Sequence, residues 1–430
     1  MNIVQITPGA GAMFCGNCFR DNALVAALRR QGHSVLMIPL YLPLTLDEAD
    51  QTDGVPIFFN GVNVYLEQKS EWFRKAPAWI HRISASPALL KWASGRAAKT
   101  RAADLGEITL SMIRGEEGNQ AREVEQLLGF LKTQPKPDII CLSNALLAGL
   151  ARRFKSELKV PIACVLQGED TFLDSLPESH RALTWKTLAE RCADIDLFIP
   201  PTRYFGDRMR ERLNLPPERV RVVYDGISLE GYESVQSPEA PVLGYFARMC
   251  REKGLDTLVE AFILLKERNR VPNLKLKVGG GCGPSDQPLV DALRERLKAK
   301  VFLDDVEFFP NVDRAGKLEF LRSLSVFSVP ALYGEAFGLY VIEALASGVP
   351  VVQPRHAAFP ELIELSGGGA LCEPGNPKAL ADTLETLLLD PEKARALGAA
   401  GRKSVLEKFS AEQMAKEVAR VYQEFSTAMV

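Results

Sequence analysis

The chain has little of what makes a protein's chemistry obvious. Of 430 residues only 4 are His and 4 are Trp, and 52 Lys plus Arg nearly cancel 54 Asp plus Glu. A net charge of −2 provides no global attraction for nucleic acid. Only one pair among the 8 Cys is closely spaced, Cys15 and Cys18. The others (Cys141, Cys164, Cys192, Cys250, Cys282 and Cys372) stand singly, several inside expected strands or helices. That excludes a disulfide scaffold and fits free thiols in a reducing compartment. No apolar run approaches the ~20 residues that span a bilayer. Met1 leads straight into an apolar run, Asn2 to Ile6, without the basic and apolar regions of a leader. The expectation is a cytoplasmic chain, soluble or peripheral on the inner face of the membrane. Acid pairs with metal-site character are also missing. Asp194-Ile-Asp196 precedes a strand and Asp304-Asp305 follows a helical stretch, so both read as turns and no metal is expected.

What is present is strand–helix alternation, the pattern of parallel sheets with helices on both faces. Strands are expected at Asn2–Ile6, Ser34–Pro39, Asp138–Leu142, Pro161–Leu166, Leu197–Ile199 and Val220–Val223. Val55–Phe59 and Val62–Leu66, joined across Asn60-Gly61, read as an inserted hairpin. The aperiodic stretch from Glu233 to Ala240 reads as a linker. Strands then restart at Pro241–Phe246, Leu274–Val278, Val306–Phe309, Leu324–Val329, Val349–Gln353 and Ala370–Cys372. The expected fold is therefore α/β, two doubly wound Rossmann-like domains facing across a cleft. The first covers 1–235 with an inserted helical segment at about 70–104, and the second covers 241–409. Helical pattern fills Pro377 to Leu406 and again Ser410 to Met429.

The most informative stretch runs from Tyr333 to Gln353. It follows a short apolar strand, carries Gly334 and Gly338 in a loop, and turns helical from Leu339 until Gly348 and Pro350. Glu335 stands in the loop, and Glu343 lies a little over two helical turns along. A helix start offers free amides to a phosphate, and each carboxylate can accept two hydroxyls. Other loops repeat the theme. Gly244 to Gly254 holds Arg248, a fork, and Lys253, a point charge, which suit a diphosphate. Gly279-Gly-Gly-Cys-Gly-Pro284, with Gly280 inside it, ends another strand. Thr7 to Cys18 is a Gly-rich turn that includes Gly11 and Ala12. After the strand ending near Leu166 come Gln167, Glu169 and Asp170, where two adjacent acids could do acid–base work or cap a helix. Cys15 and Cys18 are expected to be loop packing.

The run Gly-Glu-Ala-Phe-Gly-Leu-x-x-x-Glu-Ala-x-Ala-x-Gly-x-Pro-Val-Val, residues 334–352, resembles the Glu-x7-Glu motif of family-4 retaining glycosyltransferases of the GT-B fold. The resemblance is tight from Gly244 to Glu361 and looser before it, where the chain is similar to an uncharacterised bacterial branch of that family. It implies transfer of a hexose from a nucleotide-diphosphate sugar to a sugar or lipid-linked acceptor, with no cofactor. Arg248 and Lys253 would stabilise the leaving diphosphate, helped by amides at Phe337, Gly338 and Leu339. Glu335 would hold the sugar, Glu343 the ribose, and Gly280 would lie near the base. Gly11, Ala12, Glu169 and Asp170 would face phosphate and acceptor. Two positions depart from the family: Ala12 replaces a glycine, and Gln167 replaces a His that reaches the donor sugar. The family also implies a last helix that returns to the first domain. Two rival readings use the same residues. A nucleotide-sugar epimerase would need Glu169 and Asp170 as acid–base groups, and a non-catalytic nucleotide-sugar binder is favoured by Gln167. Trp72 to Ala103, with three Trp, seven Lys or Arg and no acid, reads as a helical insertion or a patch touching anionic lipid.

Overall fold

In the computed structural model the described residues are 1–9, 15–46, 48–59, 102–232, 238 and 240–428. They divide into two compact units, 1–224 with 414–430 and 225–413. The expected linker at 233–240 falls inside the second unit's range, largely outside the described residues.

The first unit is built on β1 (Asn2–Thr7), β2 (Ser34–Pro39), β3 (Ile139–Leu142), β4 (Ile162–Val165) and β5 (Leu197–Ile199). They pair in parallel in the order β2-β1-β3-β4-β5. β3, β4 and β5 are buried at every position, as continuous apolar runs covered on both faces must be. This order reverses direction between β1 and β3, so their carboxyl ends flank a switch point where α/β sheets take ligands. From helix Ala411–Ala428, Val418, Val421 and Tyr422 are buried in this unit, and Tyr422 reaches the thiol of Cys141 on β3.

The second unit contains β6 (Val242–Phe246), β7 (Lys275–Gly280), β8 (Val306–Pro310), β9 (Val326–Phe327), β10 (Val351–Pro354) and β11 (Gly369–Cys372). Their order is β11-β10-β9-β6-β7-β8, again all parallel. Here the reversal falls between β6 and β9. The loops that leave those two strands carry the residues singled out above. Side-chain caps start several helices: Thr202, Asp313, Asn376 and Asp390 each accept an amide from the first turn.

Three expected elements differ. Residues 55–59 form no strand, and the hairpin's second arm lies outside the described residues. Val220 makes one bridge to Phe198 in place of a strand. The periodic stretch from Pro377 is two helices, Pro377–Leu388 and Pro391–Lys408, because Asp390 and Pro391 restart it.

Candidate active site

In the second unit, the loop after β6 turns back at Gly254, whose φ is +73°. A Cβ there would sit 1.9 Å from the Pro330 carbonyl oxygen, so this loop touches the one after β9 backbone to backbone. The Leu332 amide also donates to the Glu252 carbonyl at 2.9 Å. The register sets Lys253 against Glu335, and its ammonium pairs with Oε1 of that carboxylate. The hydroxyls of Tyr333 and Tyr340 donate to the same oxygen at 3.1 and 2.9 Å. The Lys253 Nζ also lies 4.9 and 5.3 Å from the centroids of those two rings. Burial alone would pull the lysine's pKa down. The Glu335 charge, with help from Tyr333, outweighs it and holds the pKa above the ordinary lysine value. Burial and the Glu335 charge likewise push both tyrosine hydroxyls up, so they stay donors. Among the described residues no donor reaches the Oε2 of Glu335.

Gly338, at φ +104°, precedes helix Leu339–Ala346, whose first amides have no partner within the helix. Phe337 is buried, its ring 6.0 Å from that of Phe409. Glu343 belongs to a separate cluster. Its Oε1 accepts from Lys317 at 2.8 Å and from the Tyr232 hydroxyl at 3.1 Å.

Arg248 is not beside Lys253's carboxylate but gripped elsewhere. Its guanidinium forks onto Asp286, with Nε to Oδ1 and Oδ2 at 3.1 and 3.0 Å, and reaches the Ser285 hydroxyl at 3.3 Å. Asp286 holds its pKa up, and the side chain stays 60% exposed, so the far edge of the fork faces outward. Gly280 brings the β7 loop close beneath: a Cβ there would meet the Ala247 carbonyl oxygen at 2.1 Å. Among the described residues no group of three or more His, Cys, Asp or Glu is arranged to hold a metal ion. A cavity of about 670 Å3 lined by Pro241, Leu324, Pro350 and Leu406 lies at the opposite, amino ends of these strands and contains none of these groups.

In the first unit, Glu169 opens helix Glu169–Asp174 and is buried. Its Oε1 accepts the Ala145 amide and its Oε2 the Gln167 amide, both at 2.8 Å. Burial outweighs these donations and raises its pKa to about 7. Asp170 is also buried and accepts from the Arg208 guanidinium at 2.5 Å. Gln167 is half-buried at the end of β4. Gly11 and Ala12, and residues 60–101 with most of the basic aromatic segment, lie outside the described residues.

Sequence reasoning missed Tyr333, Tyr340, Asp286, Lys317 and Tyr232. Tyr333 and Tyr340 were within its reach, since they bracket Glu335 in the loop and the helix start. Asp286 and Lys317 are 38 and 26 residues from their partners, and no local pattern marks them.

A family model described as Glycosyl transferase 4-like domain matches residues 22–226, and one described as Glycosyl transferases group 1 matches residues 233–404. An uncharacterized glycosyltransferase of Methanocaldococcus jannaschii is 26% identical over 325 residues, 70% of this chain and 79% of that protein. Other curated relatives are matched over only part of their length, for example 35% and 56% of two glycosyltransferases. Among solved structures, sucrose-phosphate synthase of Thermosynechococcus elongatus superposes with a TM-score of 0.72 at 19% identity, covering 99% of each chain. Anabaena HepE in complex with UDP-glucose gives 0.68 at 16%, covering 99% of this chain and 100% of that one. At such identities the structures speak for the fold. With the two family models side by side along the sequence, the chain belongs to the family-4-like glycosyltransferases of the GT-B fold.

Proposed function

We propose that the chain transfers a hexose, with retention, from a nucleotide-diphosphate sugar to a hydroxyl of a sugar or lipid-linked acceptor. The observation that carries this is the Lys253–Glu335 pair between two tyrosines at the β6/β9 switch point, beside the helix start at Gly338. A buried cation neutralised only by a carboxylate can exchange that partner for phosphate oxygens when a donor arrives. Released from the ammonium, Glu335 keeps its tyrosine donors and offers its oxygens to sugar hydroxyls. The outer edge of the Arg248 fork adds a second positive group, so two side chains neutralise the leaving diphosphate without a metal. Glu343, paired with Lys317, is suited to the unchanging ribose. The departing diphosphate takes the acceptor proton on the face it leaves, which gives retention without a protein nucleophile.

The epimerase reading needs free acid–base carboxylates at Glu169 and Asp170. Both oxygens of Glu169 are held by backbone amides, and Asp170 by Arg208, which disfavours it. The deciding experiment is a thermal-shift screen across nucleotide sugars, followed by transfer to hydroxyl acceptors. Anomeric configuration of the product is read by NMR. An inverted product, or donor hydrolysis with no transfer to any acceptor, overturns the proposal.

A further inference from the structure

The pair Cys15 and Cys18 has no part in the transfer chemistry above, and the structure gives it a definite geometry. Helix Gly16–Arg30 starts immediately after Cys15, which is its extended N-cap (φ −126°, ψ 117°). The Phe19 amide donates to the Cys15 carbonyl at 3.1 Å, closing the first turn. Residues three apart in such a turn have Cα atoms about 5 Å apart, inside the span a disulfide bridges. Both thiols are free. Cys15 is half-buried, while Cys18 is 0% exposed. We propose that Cys15 and Cys18 form a reversible oxidation site, closing to an intramolecular disulfide by exchange with a low-molecular-weight disulfide such as glutathione disulfide.

Environment separates the two thiols in the way exchange requires. A hydrogen bond from the Cys18 thiol, and the amides of Cys18 and Asn17 at the helix start, outweigh burial and lower the Cys15 pKa to about 7. The same hydrogen bond, then burial and the Cys15 charge, push the Cys18 thiol far up. Every other cysteine is raised, chiefly by burial. That holds for Cys141, Cys164, Cys192, Cys250 and Cys372, and for the half-exposed Cys282. Cys15 is therefore the one thiol of the eight that is both accessible and poised as thiolate near neutral pH.

The step balances without help from the transferase site. The Cys15 thiolate attacks one sulfur of the disulfide, breaking its S–S bond and releasing one glutathione thiolate. Cys18 then attacks the Cys15 sulfur of the mixed disulfide and expels the second glutathione, which carries away the Cys18 proton. Two protein thiols are oxidised, and one disulfide is reduced to two thiols. This inference does not rest on the transferase reading, because its readout is covalent.

The test equilibrates the folded chain in glutathione buffers of graded oxidised-to-reduced ratio, quenches with acid, alkylates free thiols and maps peptides by mass spectrometry. A Cys15–Cys18 linkage should grow with the ratio and vanish on return to reduced glutathione. In Cys18→Ser a glutathione adduct should persist on Cys15, whereas Cys15→Ser should carry none on Cys18. If a variant misfolds, alkylation rates of wild type at pH 7 decide. The Cys15 thiol is lowered and the Cys282 thiol raised, and lower nucleophilicity offsets part of that difference, so Cys15 should react about tenfold faster than Cys282. No linkage in fully oxidised buffer, or Cys282 reacting as fast as Cys15, overturns the proposal.

Discussion

Glu169 in the first unit and Glu335 in the second both follow the carboxyl end of a strand, and they are held in opposite ways. Glu169 in the first unit is bound by backbone amides of Ala145 and Gln167, and Asp170 by one arginine. Those amides cannot leave without unfolding the loops that carry them. Glu335 and Glu343 in the second unit are bound by the side chains of Lys253, Tyr333, Tyr340, Lys317 and Tyr232. Side chains can turn from a carboxylate toward a ligand at the cost of a rotamer change. Buried acids at strand ends are therefore not equivalent: the identity of the donor separates a loop fastener from an exchangeable site.

The sharpest break of this contrast is Lys253→Ala. It should lower kcat/KM by roughly 10²-fold or more, as loss of a transition-state charge partner does, with an unchanged circular dichroism spectrum. Turnover at the wild-type rate with a proven donor would remove Lys253 from the chemistry. The two second-unit carboxylates should then fail differently. With Glu335 holding the sugar as proposed, Glu335→Gln should lower kcat roughly 10- to 100-fold. With Glu343 on the ribose as proposed, Glu343→Gln should raise KM for donor roughly tenfold while kcat changes little. Steady-state kinetics showing the reverse split would exchange the two roles.

The first unit answers in stability. Glu169 has a pKa of about 7 in the fold, above the ordinary glutamate value, so its protonated form is favoured by folding. That contribution is present in full below the unfolded pKa near 4.5 and is lost as pH rises through about 7, at most about 3 kcal/mol. Glu169→Gln should flatten this dependence. It should also destabilise by about 1–3 kcal/mol at pH 5, because one amide then faces an NH2 group, and by less at pH 8, where wild type bears the cost of the buried charge. Urea midpoints at pH 5 and pH 8 measure both, and an undiminished pH slope in the variant would assign the dependence to another group. The smallest effect is expected from a chelator. With Arg248 and Lys253 serving the diphosphate as proposed, activity should stay within about twofold, and an absolute requirement for a divalent ion would contradict that.

Much of the fold was legible because parallel strands buried on both faces are uninterrupted apolar runs, as in Ile139–Leu142 and Val351–Pro354. Val220 and residues 55–59 misled because a short apolar run is equally at home in a packed loop. Glu335 and Glu343 were legible from the glycines and helix pattern around them. Arg248 was found as a cation, but its fork onto Asp286 was not.

The sequence alone determined the alternation of strands and helices, the position of each loop at a strand's carboxyl end, and the residue types offered there. These follow from local periodicity and from backbone rules that act over a few residues. Only the tertiary structure decided which charges meet. Lys253 and Glu335 stand 82 residues apart and are joined because Gly254 lets one loop press on Pro330. Whether a carboxylate is fastened or exchangeable likewise depends on burial and on donors arriving from other strands. Those are sums over neighbours distant in sequence, and no window along the chain contains them.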